Sequence, residues 1–160
     1  MGTRAAKPPS LSADDERALS DNGLSAWRAL LFAHARLTRE LDAELQERER
    51  MTLADYDVLV QLAESPTGSV RMNELAELVV LSPSGLSRRV DRLEQLGLVE
   101  RSRNERDARG VEASLTARGK RVFQRLRRTH RAGVQRRFAS AFSERELGEL
   151  AKLLGRLSDR

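Results

Sequence analysis

Within one short stretch the spacing of apolar residues changes from about four to two, and that change limits what the chain can fold into. Ser82 followed by Pro83 is a strong helix start. A serine N-cap accepts a backbone N–H of the first turn, and proline at the first helical position lacks an N–H that would have found no partner. Leu86, Val90 and Leu93 then fall on one side of a helix that runs to Leu96 and stops at Gly97. Leu98 to Arg103 alternates, Asn104 to Gly110 is polar, and Val111 to Leu115 alternates again. Period two on both sides of a polar stretch reads as a β-hairpin with a charged tip.

Upstream, Thr52 with Asp55 is a capping-box pattern, and Leu53, Tyr56, Leu59, Val60 and Ala63 continue as a helix that Ser65-Pro66-Thr67-Gly68 ends. A short extended piece, Ser69 to Met72, leads into a helix from Asn73 to Leu78, and Val79 to Leu81 forms a tight turn before Ser82. Two helices joined by such a turn make a helix-turn-helix. Trp27, Leu30, Leu31, His34, Leu37, Leu41 and Leu45 form the stripe of a long helix from Leu24 to near Arg50. Thr116 caps a helix lined by Val122, Phe123, Leu126, Val134 and Phe138, and Ser143 with Glu146 opens a last one lined by Leu147, Leu150, Leu153, Leu154 and Leu157. The expected fold is mainly α with a small β-hairpin wing, an α+β winged helix-turn-helix over residues 51–116 within one domain, 24–160. Residues 1–23 are expected to be a flexible arm with a short helical piece at Ala13 to Ser20 that Asn22-Gly23 stops.

The 160 residues carry 29 Lys+Arg against 24 Asp+Glu, a net charge of +5 that suits a polyanion without requiring one. The absence of cysteine excludes disulfides, thiolate catalysis and zinc–thiolate sites, and fits a reducing, cytoplasmic setting. Charged residues interrupt every apolar run, so no membrane partner is expected. The two histidines, His34 and His130, belong to separate helices. There is no H-E-x-x-H, no nucleophile elbow and no phosphate loop, since Gly119-Lys120 is followed by Arg121. No enzyme activity, metal or cofactor is expected.

In a helix-turn-helix the second helix lies in the major groove, and its early residues reach base edges. Ser84, Ser87 and Arg88 suit that role, with Arg88 matched to guanine O6 and N7. The helix N-terminus offers free backbone N–H groups to a phosphate, and Ser82, Pro83, Gly85, Arg89 and Arg92 complete the candidate DNA-binding set on this helix. The plainer alternative is a solvated polar face. The hairpin adds Arg101, Arg103, Arg106 and Arg109 around a projecting tip suited to the minor groove. Arg109 is the chosen minor-groove contact, and Asp107 is an internal ion-pair partner. A winged helix used only for protein contacts is a further alternative, which a salt titration separates from DNA binding.

Thr52-Leu53-Ala54-Asp55-Tyr56-Asp57-Val58-Leu59, Met72-Asn73-Glu74-Leu75-Ala76, the run LSPSGLSRRVDRLEQLGLVER, Asp107-Ala108-Arg109, Leu115-Thr116 and Gly119 together resemble the MarR family of multiple-antibiotic-resistance-type regulators. The resemblance spans roughly Leu24 to Leu157. It implies a homodimer whose first, fifth and sixth helices (24–50 and 117–160) form the dimerisation region, with two winged domains on an inverted-repeat operator in double-stranded DNA. It also implies that Ser82 to Arg92 is the recognition helix, that Asp107 and Arg109 are the D-x-R wing signature, and that the default action is repression relieved by a small aromatic or anionic effector. Candidate effector residues are Trp27, Arg28, His34, Tyr56 and Asp57. Against that stands ordinary core packing, the usual fate of a Trp and a His seven apart on an apolar stripe. Apolar surface on the first and last helices exceeds what a small winged domain covers, which independently favours a dimer.

Overall fold

The computed structural model of the chain describes residues 20–79, 82–103 and 110–158. Its elements run α1 (Asp21–Glu49), α2 (Leu53–Glu64), β1 (Ser69–Arg71), α3 (Met72–Leu78), α4 (Pro83–Gln95), β2 (Val99–Arg103), β3 (Val111–Leu115), α5 (Ala117–Arg137), a short 3-10 turn (Ala139–Ala141) and α6 (Glu144–Ser158). This is the expected helix-rich winged helix-turn-helix. The expected helical piece before Ser20 lies outside the described residues.

The start of α1 corrects the sequence reading. Asn22-Gly23 does not stop a helix; it lies inside the first turn of α1, because Ser20 Oγ accepts the Gly23 N–H at 3.1 Å and the Ser20 carbonyl accepts the Leu24 N–H at 2.9 Å. At the other end Arg50 takes φ +59, and the N–H groups of Arg50 and Met51 turn back to the carbonyls of Gln46 and Leu45. That left-handed residue ends α1 and lets Thr52 start α2 at once.

The hairpin forms as expected, and the extended piece at Ser69 adds a strand to it. The sheet order is β1-β3-β2, both pairs antiparallel, with Val70 opposite Ala113 and Arg101 opposite the same residue from the other side. Gly97, at φ +67, ends α4 with its N–H on Glu94 O and the Leu98 N–H on Leu93 O. This paired closure turns the chain directly into β2.

Leu45, Leu59, Leu62, Leu75, Leu93 and Leu126 are fully or almost fully buried in one apolar cluster that joins the end of α1 to α2, α3, α4 and α5. Acidic residues on the last turns of α1 reinforce its seam with α5. Buried Glu44 accepts hydrogen bonds from Arg136 and Arg137, and Glu49 accepts from Arg125 and from Thr129 Oγ1 at 2.8 Å. The two helices approach closely at Gly133, where a Cβ would lie 2.8 Å from Leu41 Cδ2.

Candidate nucleic-acid interface

Helix α4 is held on one face and open on the other. Leu86, Val90 and Leu93 are at most 1% exposed, while Ser84, Ser87, Arg88, Asp91 and Gln95 lie at the surface. Its start is built as the sequence implied, with Ser82 Oγ accepting the Gly85 N–H at 3.2 Å and Pro83 in the first turn. Gly85 has room for this because its missing Cβ would meet Ser82 Oγ at 3.0 Å.

Not every arginine of the candidate set faces outward. Arg89 turns back across α2: its Nη1 donates to Asp55 Oδ1 at 2.8 Å and to Thr52 Oγ1 at 3.0 Å. Arg92 donates to Asp55 Oδ2 but keeps nearly half of its side chain exposed. Arg101 folds onto α4, with Nη1 2.6 Å from Asp91 Oδ1 and 2.8 Å from Glu94 Oε2, and Nη2 donating to the Ser87 carbonyl at 3.2 Å. Arg89 and Arg101, both in the candidate DNA-binding set, thus meet carboxylates of the same chain. The physical reason is the same in both cases: a nearby carboxylate offers a short charge-assisted bond that open solvent does not. Among the described residues Arg88 is exposed and has no acidic partner. Arg103 ends β2, while Arg106, Asp107 and Arg109 lie outside the described residues.

Asp55 was read from the sequence only as a helix cap. In the structure it is fully buried, and its carboxylate takes the Thr52 N–H at 3.0 Å together with both arginines. Burial pushes this carboxyl up, but the hydrogen bonds from Thr52, Arg92 and Arg89 outweigh it and hold the group below its ordinary value. The only sequence signal was a short acid where a capping box also admits a longer side chain.

The candidate effector residues fall into two places. Trp27, Arg28 and His34 lie on the first half of α1, all exposed, with Trp27 at 53%. Core packing is therefore not what holds them within a single chain. Tyr56, on α2, is buried; its ring stacks on Phe123 at 6.1 Å between centroids and lies 4.6 Å from His130. Neighbouring Asp57 has its carboxyl raised by desolvation, which the charge of His130 opposes, and desolvation lowers His130 while Asp57 opposes that. The sequence reading missed His130 as a member of this cluster, because its partners come from a helix about seventy residues earlier. Among the described residues no helix is long and apolar enough to cross a membrane.

Comparison with known proteins gives one answer. A sequence model of the MarR family matches residues 51–110. The chain is 31% identical over 115 residues to the HTH-type transcriptional repressor MdtR of Bacillus subtilis (strain 168), covering 72% of each protein. It superposes on AbsC, a MarR family transcriptional regulator from Streptomyces coelicolor, with TM-score 0.81 and 36% identity over 89% of this chain and 96% of AbsC. It superposes also on Sco3205, a MarR family regulator of the same organism solved in complex with DNA, with TM-score 0.84 and 32% identity over 91% of each chain. On the anchored helix α4, the three-stranded sheet and these likenesses, the chain belongs to the MarR family of winged helix-turn-helix transcriptional regulators.

Proposed function

We propose that the chain acts as a homodimeric, sequence-specific DNA-binding regulator of transcription, a repressor that a small aromatic or anionic effector releases from a pseudo-palindromic operator. The observation that carries this reading is the open face of α4. Ser84, Ser87 and unpaired Arg88 stand on a helix whose other side is fixed by Leu86, Val90 and Leu93. Short polar groups near a helix start and an arginine one turn in are what base edges in the major groove accept. The start of α4, Ser82 to Gly85 with Pro83 in its first turn, meets a phosphate through the first-turn backbone N–H groups that no cap takes up, Arg92 keeps open donors for the backbone, and Arg103, Arg106 and Arg109 serve the wing, with Asp107 holding one of them in place. The DNA-bound state of Sco3205 and the repressor role of MdtR support this reading by likeness.

The dimer is supported by apolar side chains that a single chain leaves exposed: Phe32 at 77% on the first half of α1, and Leu153 and Leu157 at 54% and 66% on α6. A twofold axis places the two recognition helices on inverted half-sites roughly 10 bp apart, centre to centre. Trp27, Arg28, His34, Tyr56 and Asp57 remain the proposed effector residues. The protein acts in the cytoplasm and catalyses nothing.

A salt titration of binding to duplex DNA tests the reading. Each neutralised phosphate contributes about −0.9 to the slope of log affinity against log salt, so several contacts give a steep fall. Association that ignores salt instead indicates a surface for protein partners.

A further inference from the structure

We infer that Asp55 is a positioning residue for base recognition: by gripping Arg89 and Arg92 it fixes the rotation of α4 and withholds positive charge from the DNA backbone, so that affinity depends on sequence more than on charge. The inference rests on the DNA-binding reading above.

A capping box needs only an acid at the surface; this one is buried at 0% exposure and is reached by two side chains from another helix, 34 and 37 residues along the chain. Thr52 Oγ1 accepts both the Asp55 N–H, at 3.0 Å, and Arg89 Nη1, at 3.0 Å, so cap and grip share the same atoms. Arg89 and Arg92 are three residues apart and therefore on one side of α4, whereas Arg88 precedes Arg89 by about 100° around the axis. Turning α4 about its axis breaks two charge-assisted bonds at a carboxylate shielded from water. Arg89 reaches Asp55 and Thr52 through Nη1, while its Nε is buried without a hydrogen-bond partner among the described residues. The charge argument runs the same way. One carboxylate against two guanidinium groups leaves one net positive charge where two would stand, and the two carboxylates of Asp91 and Glu94 more than offset Arg101. Of the three arginines of α4, Arg88 is left as the one whose charge no acid among the described residues offsets.

The experiment compares affinity for a duplex selected from random DNA with affinity for an unrelated duplex, in the full-length protein and its Asp55→Asn and Asp55→Glu variants. Asp55→Asn is expected to lower the ratio of the two affinities about 10- to 100-fold. Affinity for the unrelated duplex stays equal or rises, its salt slope steepens by about one phosphate, and Asp55→Glu recovers most of the ratio. A loss of both affinities in parallel, with the ratio intact, overturns the inference, because a merely structural carboxylate behaves that way. Should circular dichroism show that Asp55→Asn does not fold, Arg89→Gln takes its place: a lowered ratio supports the grip, and an unchanged ratio overturns it. A wild-type protein that binds neither duplex overturns the DNA-binding reading, and the inference with it.

Discussion

The Leu98 carbonyl oxygen lies where a side chain on Gly119 would have to go, 1.9 Å from the position of its Cβ. Gly119 is in the first turn of α5, its N–H held by Thr116 Oγ1 at 2.9 Å, while that same hydroxyl donates to the Gly97 carbonyl at 2.7 Å. The end of α4, the start of β2 and the start of α5 thus close against one another only because this position has no side chain. Gly119→Ala is expected to destabilise the fold by about 2 to 3 kcal/mol, against an intrinsic helix gain of about 1 kcal/mol for alanine. Chemical denaturation monitored by circular dichroism measures it, and a variant at least as stable as wild type refutes the close approach.

On the DNA side, Arg88→Ala is expected to relax base preference at one position of each half-site by about 1 to 3 kcal/mol. Arg109→Ala is expected to weaken binding more evenly across sequences. Selection from random DNA with each purified variant separates the two, and the opposite pattern reverses the assignment of helix and wing.

Acid has a defined effect at the α1–α5 seam. Burial pushes the Glu44 carboxyl up, but hydrogen bonds from Arg137 and Arg136 hold it below its ordinary 4.5. A carboxyl whose folded value is depressed contributes stability that is complete above the unfolded value and is lost as pH falls through the folded one. The melting temperature is therefore expected to fall below pH 4.5, with Asp55 adding to the fall below its ordinary 3.8. Glu44→Gln is expected to flatten that acid limb while lowering stability at neutral pH. Melting curves across this range decide the matter, and an acid limb as steep as that of wild type assigns the pH dependence elsewhere.

Trp27→Phe is expected to weaken effector-induced release from DNA while leaving affinity for the selected duplex intact. Release assays with small aromatic acids read this out; an unaltered response removes Trp27 from the effector site.

What could be read in advance was local. Ser82-Pro83, the Thr52 capping box, Gly97 and Thr116 each act on residues within one turn, so helix boundaries near them follow from the chain alone. The exception was Asn22-Gly23, where a sequence that commonly ends helices sits inside one that Ser20 had already begun. Long-range pairings were not legible. The third strand exists because Ser69–Arg71 finds Glu112–Ser114, about forty residues on, and nothing in a three-residue segment announces its partner. The directions of Arg89 and Arg101 depend in the same way on where the fold sets Asp55, Asp91 and Glu94. An arginine on a polar stretch looks identical in sequence whether it meets a carboxylate or water.

Because β3 is flanked by β1 and β2, both of its sides are consumed in ladders, and the edges that the described sheet presents are three and five residues long. Strands that short are poor templates for recruiting a foreign one. The winged region is thereby guarded against runaway stacking of one sheet upon the next, and copies of the chain that meet at high concentration are left to do so through their helices.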